Sequence, residues 1–267
     1  VLFVNRNMTA VETHRITGGD AVVFSAADHQ REGPNQDSAA LIPAGPGRAV
    51  LAVADGVGGQ PEGSEASGVA LAELHRSVER AIAEETSLRD AILTGFENAN
   101  RVLTRNGSGG ATTLAVAEIE NECLRPFHVG DSLVAVVGQR GRRKLETLSH
   151  SPVGYAVEAG VLDEEEAMHH EERHLISNAV GFDGMRIEVG ATVRIAARDT
   201  VLLATDGLLD NLFMHEILDL IRVGPLPRSG QVLADQCLAR MRGQTGQPCK
   251  PDDVTFIAYR RSRRRAS

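Results

Sequence analysis

Val50-Leu51-Ala52-Val53-Ala54-Asp55-Gly56-Val57-Gly58-Gly59 is a run of small apolar residues that stops at an acid and continues in glycine. An uninterrupted apolar run bounded by a Gly-rich turn predicts a buried strand. The acid then stands at the mouth of the core, and glycine lets backbone or a ligand approach where a Cβ would block it. The pattern recurs further along. Val201-Leu202-Leu203-Ala204-Thr205 ends in Asp206-Gly207, Pro126-Phe127-His128-Val129-Gly130 ends in Asp131-Ser132, and Asp252-Asp253 immediately precedes Val254–Tyr259. A single such Asp reads most simply as a turn residue or a helix N-cap. Four apolar runs that each carry an acid at one end call for a common explanation. If the acids converge, they repel and some must protonate. A hard divalent cation removes that conflict, and Asp oxygens with backbone carbonyls are what Mg²⁺ and Mn²⁺ prefer. The expectation is an all-oxygen metal cluster at the strand ends.

Composition bounds the alternatives. The 267 residues contain 42% hydrophobic residues, 3% aromatics and no Trp, so a large core must be aliphatic and Ala-rich. Few aromatics and a formal net charge of −8 argue against a nucleic-acid or membrane-surface binder. Cys123, Cys237 and Cys249 are odd in number and form no CxxC, which fits a reducing compartment and excludes a cysteine zinc site. No apolar run is long enough to span a membrane. The reading is a cytoplasmic protein with no nucleic-acid or membrane partner. The Arg-rich end, Arg260 to Arg265, reads as a solvated tail.

Taken in order, strands are expected at Ala21–Ser25 and Ala39–Ile42, then helices at about Ser64–Glu85 and Ser87–Asn106. The second helix carries Leu88, Ala91, Ile92, Phe96, Ala99, Val102 and Leu103 on one face. Short strands at Thr112–Glu118, Cys123–Val129, Leu133–Gly138 and Lys144–Leu148 suggest an antiparallel meander. Residues 149–180 are acidic and His-rich, with a short helix near Asp163–His170, and read as an excursion from the core. Strands return at Met185–Val189, Thr192–Ala196 and Val201–Thr205, followed by helices at Leu208–Val223 and Ser229–Arg242 and a last strand at Val254–Arg260. Segregated helices and antiparallel strands define an α+β class. One domain over 15–262 is expected, with 1–14 and 263–267 as disordered ends.

Asp206 and Asp210 lie four apart across a strand-to-helix turn, so they can point the same way; Asp210 reads equally as a solvated helix residue. Two clustered divalent ions imply attack by an activated water on a phosphate ester, without a Ser, Cys or His nucleophile. Arg31, near Asp37, is the candidate to hold the phosphate.

These segments also resemble a known family. Arg31…Asn35-Gln36-Asp37, Ala54–Gly59, Gly110-Ala111-Thr112-Thr113, His128–Ser132, Ala204–Asp210 and Pro251–Thr255 occur in the order seen in protein phosphatase 2C, the metal-dependent serine/threonine phosphatases. The resemblance covers about residues 20 to 260. It implies a four-layer αββα sandwich and hydrolysis of phosphoserine and phosphothreonine in proteins by a metal-activated water at a binuclear Mn²⁺ or Mg²⁺ centre. Asp55 would bridge the two ions, with the Gly56 carbonyl on one, Asp206 and Asp252 on the other, and Asp37 acting through water. Asp131, Asp206 and Asp210 would form a third, weaker site. Residues 149–180 would be the flap beside the active site, and a serine/threonine kinase would be the functional partner. Three positions depart from the pattern: Arg31 lies one residue further from Asn35-Gln36-Asp37 than usual, Val57 replaces a His, and Asp253 replaces an Asn. Two rival readings are a non-catalytic phosphoprotein-binding module on the same fold and a zinc peptidase built on His170-Glu171-Glu172-Arg173-His174, which matches H-E-x-x-H.

Overall fold

The stretch Arg48–Ala54 folds as a strand whose residues from Ala49 to Ala54 are all buried. Its side chains divide between two core clusters with a period of two. Ala49, Leu51 and Val53 enter one, and Val50, Ala52 and Ala54 enter the other. Covering on both faces is why the run contains no polar alternation.

The structure is a computed structural model that describes residues 1–57, 62–106, 110–247 and 249–262. Gly58 and Gly59 of the opening stretch, the glycine run after Asn106 and the end at 263–267 lie outside the described residues. The first strands are β1 (Leu2–Val4), β2 (Glu12–Ile16), β3 (Gly19–Ala26), β4 (Ser38–Pro43), β5 (Arg48–Ala54) and β6 (Gly56–Val57). Helices α1 (Glu62–Ala83) and α2 (Leu88–Asn106) follow, then β7 (Ala111–Thr112), β8 (Leu114–Glu120), β9 (Cys123–Val129), β10 (Leu133–Val137) and β11 (Arg143–Glu146). Next come α3 (Pro152–Glu158), α4 (Glu164–His169), β12 (Glu188–Val189), β13 (Val193–Arg194) and β14 (Thr200–Ala204). The chain ends with α5 (Asp206–Leu209), α6 (Met214–Ile221), α7 (Leu226–Met241) and β15 (Val254–Arg261).

One sheet runs β1-β4-β5-β8-β9-β12, with β13 also on β9, and the other runs β11-β10-β14-β15-β3-β2; all pairs are antiparallel. The inner faces of both sheets meet in one cluster, which continues through the second sheet to α6 and α7. The outer face of the first sheet packs on α1 and α2 through Leu71, Leu74, Ile92 and Phe96. The α+β class and the four-layer αββα arrangement are therefore present.

Four expectations need correction. Residues 1–14 were expected to be a frayed end, but β1 pairs with β4 and β2 with β3. The strand expected at Thr112–Glu118 is interrupted at Thr113, because β7 pairs with β6 while β8 pairs with β5. Met185–Val189 is strand only at Glu188–Val189. The helix expected over Leu208–Val223 is two helices. Asn211 interrupts it by donating its side-chain amide to the Gly207 carbonyl (2.9 Å) and the Lys250 carbonyl (2.7 Å). The chain restarts at Phe213, whose N–H is received by the Glu216 carboxylate (2.9 Å).

Candidate active site

Strand register explains why acids far apart in sequence meet. β4 and β5 pair Ser38 with Ala54, so Asp37 and Asp55 stand one step beyond, at the same end. β10 and β14 pair Leu133 with Ala204, which brings Asp131 and Asp206 to that end. β14 and β15 pair Ala204 with Phe256, and Asp252 and Asp253 directly precede β15. Close backbone approach holds the junctions. A Cβ on Gly56 would stand 2.1 Å from the Gly63 carbonyl oxygen, and one on Gly207 would stand 1.9 Å from that of Asp253.

The carboxylates feel one another strongly. Asp37 is fully buried, and burial first, then Asp253, Asp206 and Asp252, hold its carboxyl well above the usual range, against a hydrogen bond from Thr205 that lowers it. Thr205 Oγ1 donates to Asp37 Oδ2 at 2.8 Å. Asp37 Oδ1 finds no partner among the described residues. Burial, Asp37, Asp206 and Asp252 likewise raise Asp55 well above its ordinary value, and it shares a hydrogen bond with Asp206. Burial and Asp206 push Asp131 up to about 8, Asp210 to about 6 and Asp252 to about 7. Asp206 is the exception. Burial would raise it, but Lys250 and hydrogen bonds from Asp55, Lys250 and the Gly207 N–H hold it below the usual carboxylate value. Buried carboxyls that would repel if all ionised, with one buried oxygen lacking a donor, are the arrangement that divalent cations relieve, and an all-oxygen donor set fits Mg²⁺ or Mn²⁺.

Arg31 is brought to the same place. Its guanidinium pairs with Gln36 Oε1 and Asp253 Oδ2. Asp253 also accepts from the N–H groups of Gln36 (2.6 Å) and Asp28 (2.8 Å). The two neighbouring acids thus differ in role: Asp253 is saturated by the Arg31 loop, while Asp252 faces Lys250 (3.1 Å). The turn around Asp206 also matches expectation, since Asp206 and Asp210 both reach Lys250 Nζ, at 3.0 and 2.6 Å. Sequence reasoning missed Lys250 and Asn211, and gave no role to Thr205 or to Thr113, whose hydroxyl accepts the Asp55 N–H (3.0 Å). A lysine two residues before Asp252 in a chain whose basic residues are nearly all arginine was the available signal.

A cavity of 720 Å³ opens beside the acids. Asp131, Asp206 and Asp210 line one side, and Ser151, Val157 and Met168 of the 149–180 segment line another. That segment is fastened through His150. Its Nδ1 accepts the Gly130 N–H (3.1 Å) and lies 2.9 Å from Asn178 Nδ2, so Nε2 carries the proton toward Glu188 (3.1 Å). His150 stacks on His128 with ring centroids 4.4 Å apart. His128, His150 and Glu188 form a group of three potential metal ligands within 4.8 Å of one another. In the hydrogen bonding present, the His150 nitrogens are already engaged in holding the segment. The H-E-x-x-H match does not sit on a helix: α4 ends at His169, His170 has extended backbone, and Glu171–His174 form a turn. A zincin needs both His on one helical face, so that reading is overturned.

The fold and this constellation define a class: a metal-dependent phosphohydrolase built as an αββα sandwich. A family model described as Protein phosphatase 2C matches residues 26–235, and the chain belongs to that family of serine/threonine phosphatases. A protein phosphatase 2C-type protein of Streptococcus pyogenes is 30% identical over 224 residues, which is 80% of this chain and 89% of the relative. The solved serine/threonine phosphatase of S. agalactiae superposes with a TM-score of 0.77 at 25% identity, over 91% of this chain and 99% of that one. The catalytic domain of the serine/threonine phosphatase PstP in complex with two manganese ions gives 0.70 at 25% identity, over 91% and 98%. Among the described residues no helix is long and apolar enough to cross a membrane.

Proposed function

We propose that Asp37, Asp55, Gly56, Asp206 and Asp252 hold two Mn²⁺ or Mg²⁺ ions for hydrolysis of phosphoserine and phosphothreonine in proteins. The observation that carries this is the meeting of acids from separate chain segments at one end of both sheets, with Asp37 Oδ1 lacking any donor among the described residues. When bound, divalent ions acidify water and neutralise charge that builds on phosphoryl oxygens. Asp55 and Asp206 are the acids assigned to that chemistry, and their shared hydrogen bond must open to admit a cation. Thr205 fixes the rotamer of Asp37. Arg31 keeps 32% side-chain exposure beside its pairing with Asp253 and has guanidinium N–H groups left for a phosphate. Val57 offers no proton, so the leaving alkoxide takes one from water or from another group. The cavity beside the acids, with Arg143 and Arg173 in its wall, suits a phosphopeptide. Of the third position's acids, Asp131, Asp206 and Asp210, the last two already hold Lys250.

A protein substrate implies a serine/threonine kinase acting in the same compartment. The three cysteines, none in a disulfide, fit the cytoplasm. The test is turnover of a phosphothreonine peptide with EDTA, Mn²⁺, Mg²⁺ or Zn²⁺, with Asp55→Asn as the variant. Activity should need Mn²⁺ or Mg²⁺ and fall roughly 10³-fold or more in the variant. Wild-type rates in Asp55→Asn would refute the assignment, and binding without turnover would favour a phosphoprotein-binding module.

A further inference from the structure

Lys250 places its ammonium among three carboxylates: Asp210 Oδ2 at 2.6 Å, Asp206 Oδ2 at 3.0 Å and Asp252 Oδ2 at 3.1 Å. Two of its N–H donors are hydrogen-bonded, to Asp210 and Asp206, and Asp252 completes the set as an ion pair. The side chain is 22% exposed. Its backbone is clamped in both directions by buried Asn211, whose Oδ1 accepts the Lys250 N–H (2.9 Å) and whose Nδ2 donates to the Lys250 carbonyl (2.7 Å). Asn211 is in turn tied to Gly207 (2.9 Å), so the lysine and the acids of α5 are set by one residue. The residue type is also selective. Of 28 basic residues only Lys144 and Lys250 are lysines. A compact point charge fits between three carboxylates where a planar guanidinium would not.

We propose that Lys250 is a built-in cation that fills the outer position between Asp206, Asp210 and Asp252, so that this chain takes two divalent ions where its carboxylates would otherwise take three. The proposal rests on the metal reading above. A Mg²⁺ or Mn²⁺ needs oxygens at about 2.0–2.2 Å in near-octahedral array. An ion reaching the Asp206 and Asp210 oxygens that Lys250 now contacts would share their few ångströms with an ammonium, and two cations so close in a half-buried pocket repel. The lysine uses one oxygen of each acid, so the inner ions would take the other oxygen of Asp206 and, beside the Asp253 N–H that it accepts (2.9 Å), Oδ1 of Asp252.

Counting bound metal tests this. The full chain, stripped with EDTA, is dialysed against Mn²⁺, and bound ions are counted by elemental analysis and by electron paramagnetic resonance of free Mn²⁺. Two per wild-type chain, three in Lys250→Met and two again in Lys250→Met/Asp210→Asn are expected. Three in the wild type, or no gain in Lys250→Met, would overturn the proposal while leaving the metal reading intact. No uptake by any chain would overturn both. A measurement on the wild type alone guards against misfolding of the variants. With ¹³C at lysine Cε, the chain gives two signals, assigned through Lys144→Arg. At saturating Mg²⁺ the Lys250 signal should stay apart from that of a solvated lysine. Its collapse to that position would mean that a divalent ion had displaced it.

Discussion

Removing divalent metal should turn the site into a pH-dependent weakness. Asp210, Asp252 and Asp131 carry carboxyls raised from an ordinary 3.8 to about 6, 7 and 8, chiefly by burial and then by Asp206. A raised acid favours the folded state while protonated. Below pH 3.8 both states hold the proton and the folded state suffers no penalty. Above it the unfolded chain releases the proton first, so stability falls until pH passes the folded value. For these three acids the window therefore opens near pH 4 and closes near 8. Each tenfold in a proton equilibrium is worth ~1.4 kcal/mol, but the three acids repel through a common neighbour and their costs do not add. Asp206, held low by Lys250, gives a constant contribution across this window, because its own change falls below pH 3.8. Asp210 and Asp252 also keep 15% and 32% side-chain exposure, which screens them. A net loss of ~3 kcal/mol between pH 5 and 8 is a reasonable scale, equivalent to ~6–12 °C in Tm for a chain of this size. Mn²⁺ replaces the protons, so its stabilisation should be larger at pH 8 than at pH 5.5. Thermal melts of EDTA-treated protein from pH 5 to 8, with and without Mn²⁺, read this directly. A metal-free Tm that is flat or rises over that range would refute the argument.

Two further outcomes follow from the supports of the site. Arg31→Ala leaves the buried Asp253 without its counter-ion and should destabilise the fold by ~2–4 kcal/mol in urea unfolding. Arg31→Ala/Asp253→Asn should recover most of that loss while a raised KM for phosphopeptide persists; equal loss in the double variant would show that the pair is not the cause. His150→Ala removes the acceptor of the Gly130 N–H and the tie to Asn178. Limited proteolysis should then cut within 151–177 faster by roughly tenfold, with the global Tm changed by only a few degrees; unchanged cutting would show that the segment is held elsewhere.

The layers were legible because both helical and strand periods are clean here. β5, β14 and β15 are buried on both faces, and an apolar run with an acid at its end states both the strand and where it stops. α1 and α2 were legible from their apolar stripes. The N-terminal strands were not, since β2 alternates half-buried and exposed polar residues, and its place at the sheet edge is decided by β3 rather than by its own composition. The break between α5 and α6 was hidden for a related reason: Leu208 to Ile221 is largely apolar, and the interruption comes from the Asn211 side chain bonding to a segment 39 residues away. Such long-range polar competition leaves no periodic trace.

The acids of the site were readable one by one, and their convergence follows from antiparallel register. Their charge balance was not. Asp252 and Asp253 are adjacent and chemically identical, yet one faces Asp206 and the other is saturated by Arg31 and two backbone N–H groups. The same physics connects two departures from the family pattern. An Asp in place of the usual Asn adds a buried charge, and an Arg displaced by one residue supplies the guanidinium that meets it. Arg31 therefore offsets part of the charge of Asp253, and Lys250 part of the charge of Asp206, Asp210 and Asp252. What remains uncompensated is centred on Asp37 and Asp55, whose carboxyls burial and the neighbouring acids raise well above the usual range, and on the Asp37 oxygen that has no partner among the described residues. A divalent cation has most to gain at those two side chains, so the inner ions should bind first and most tightly there.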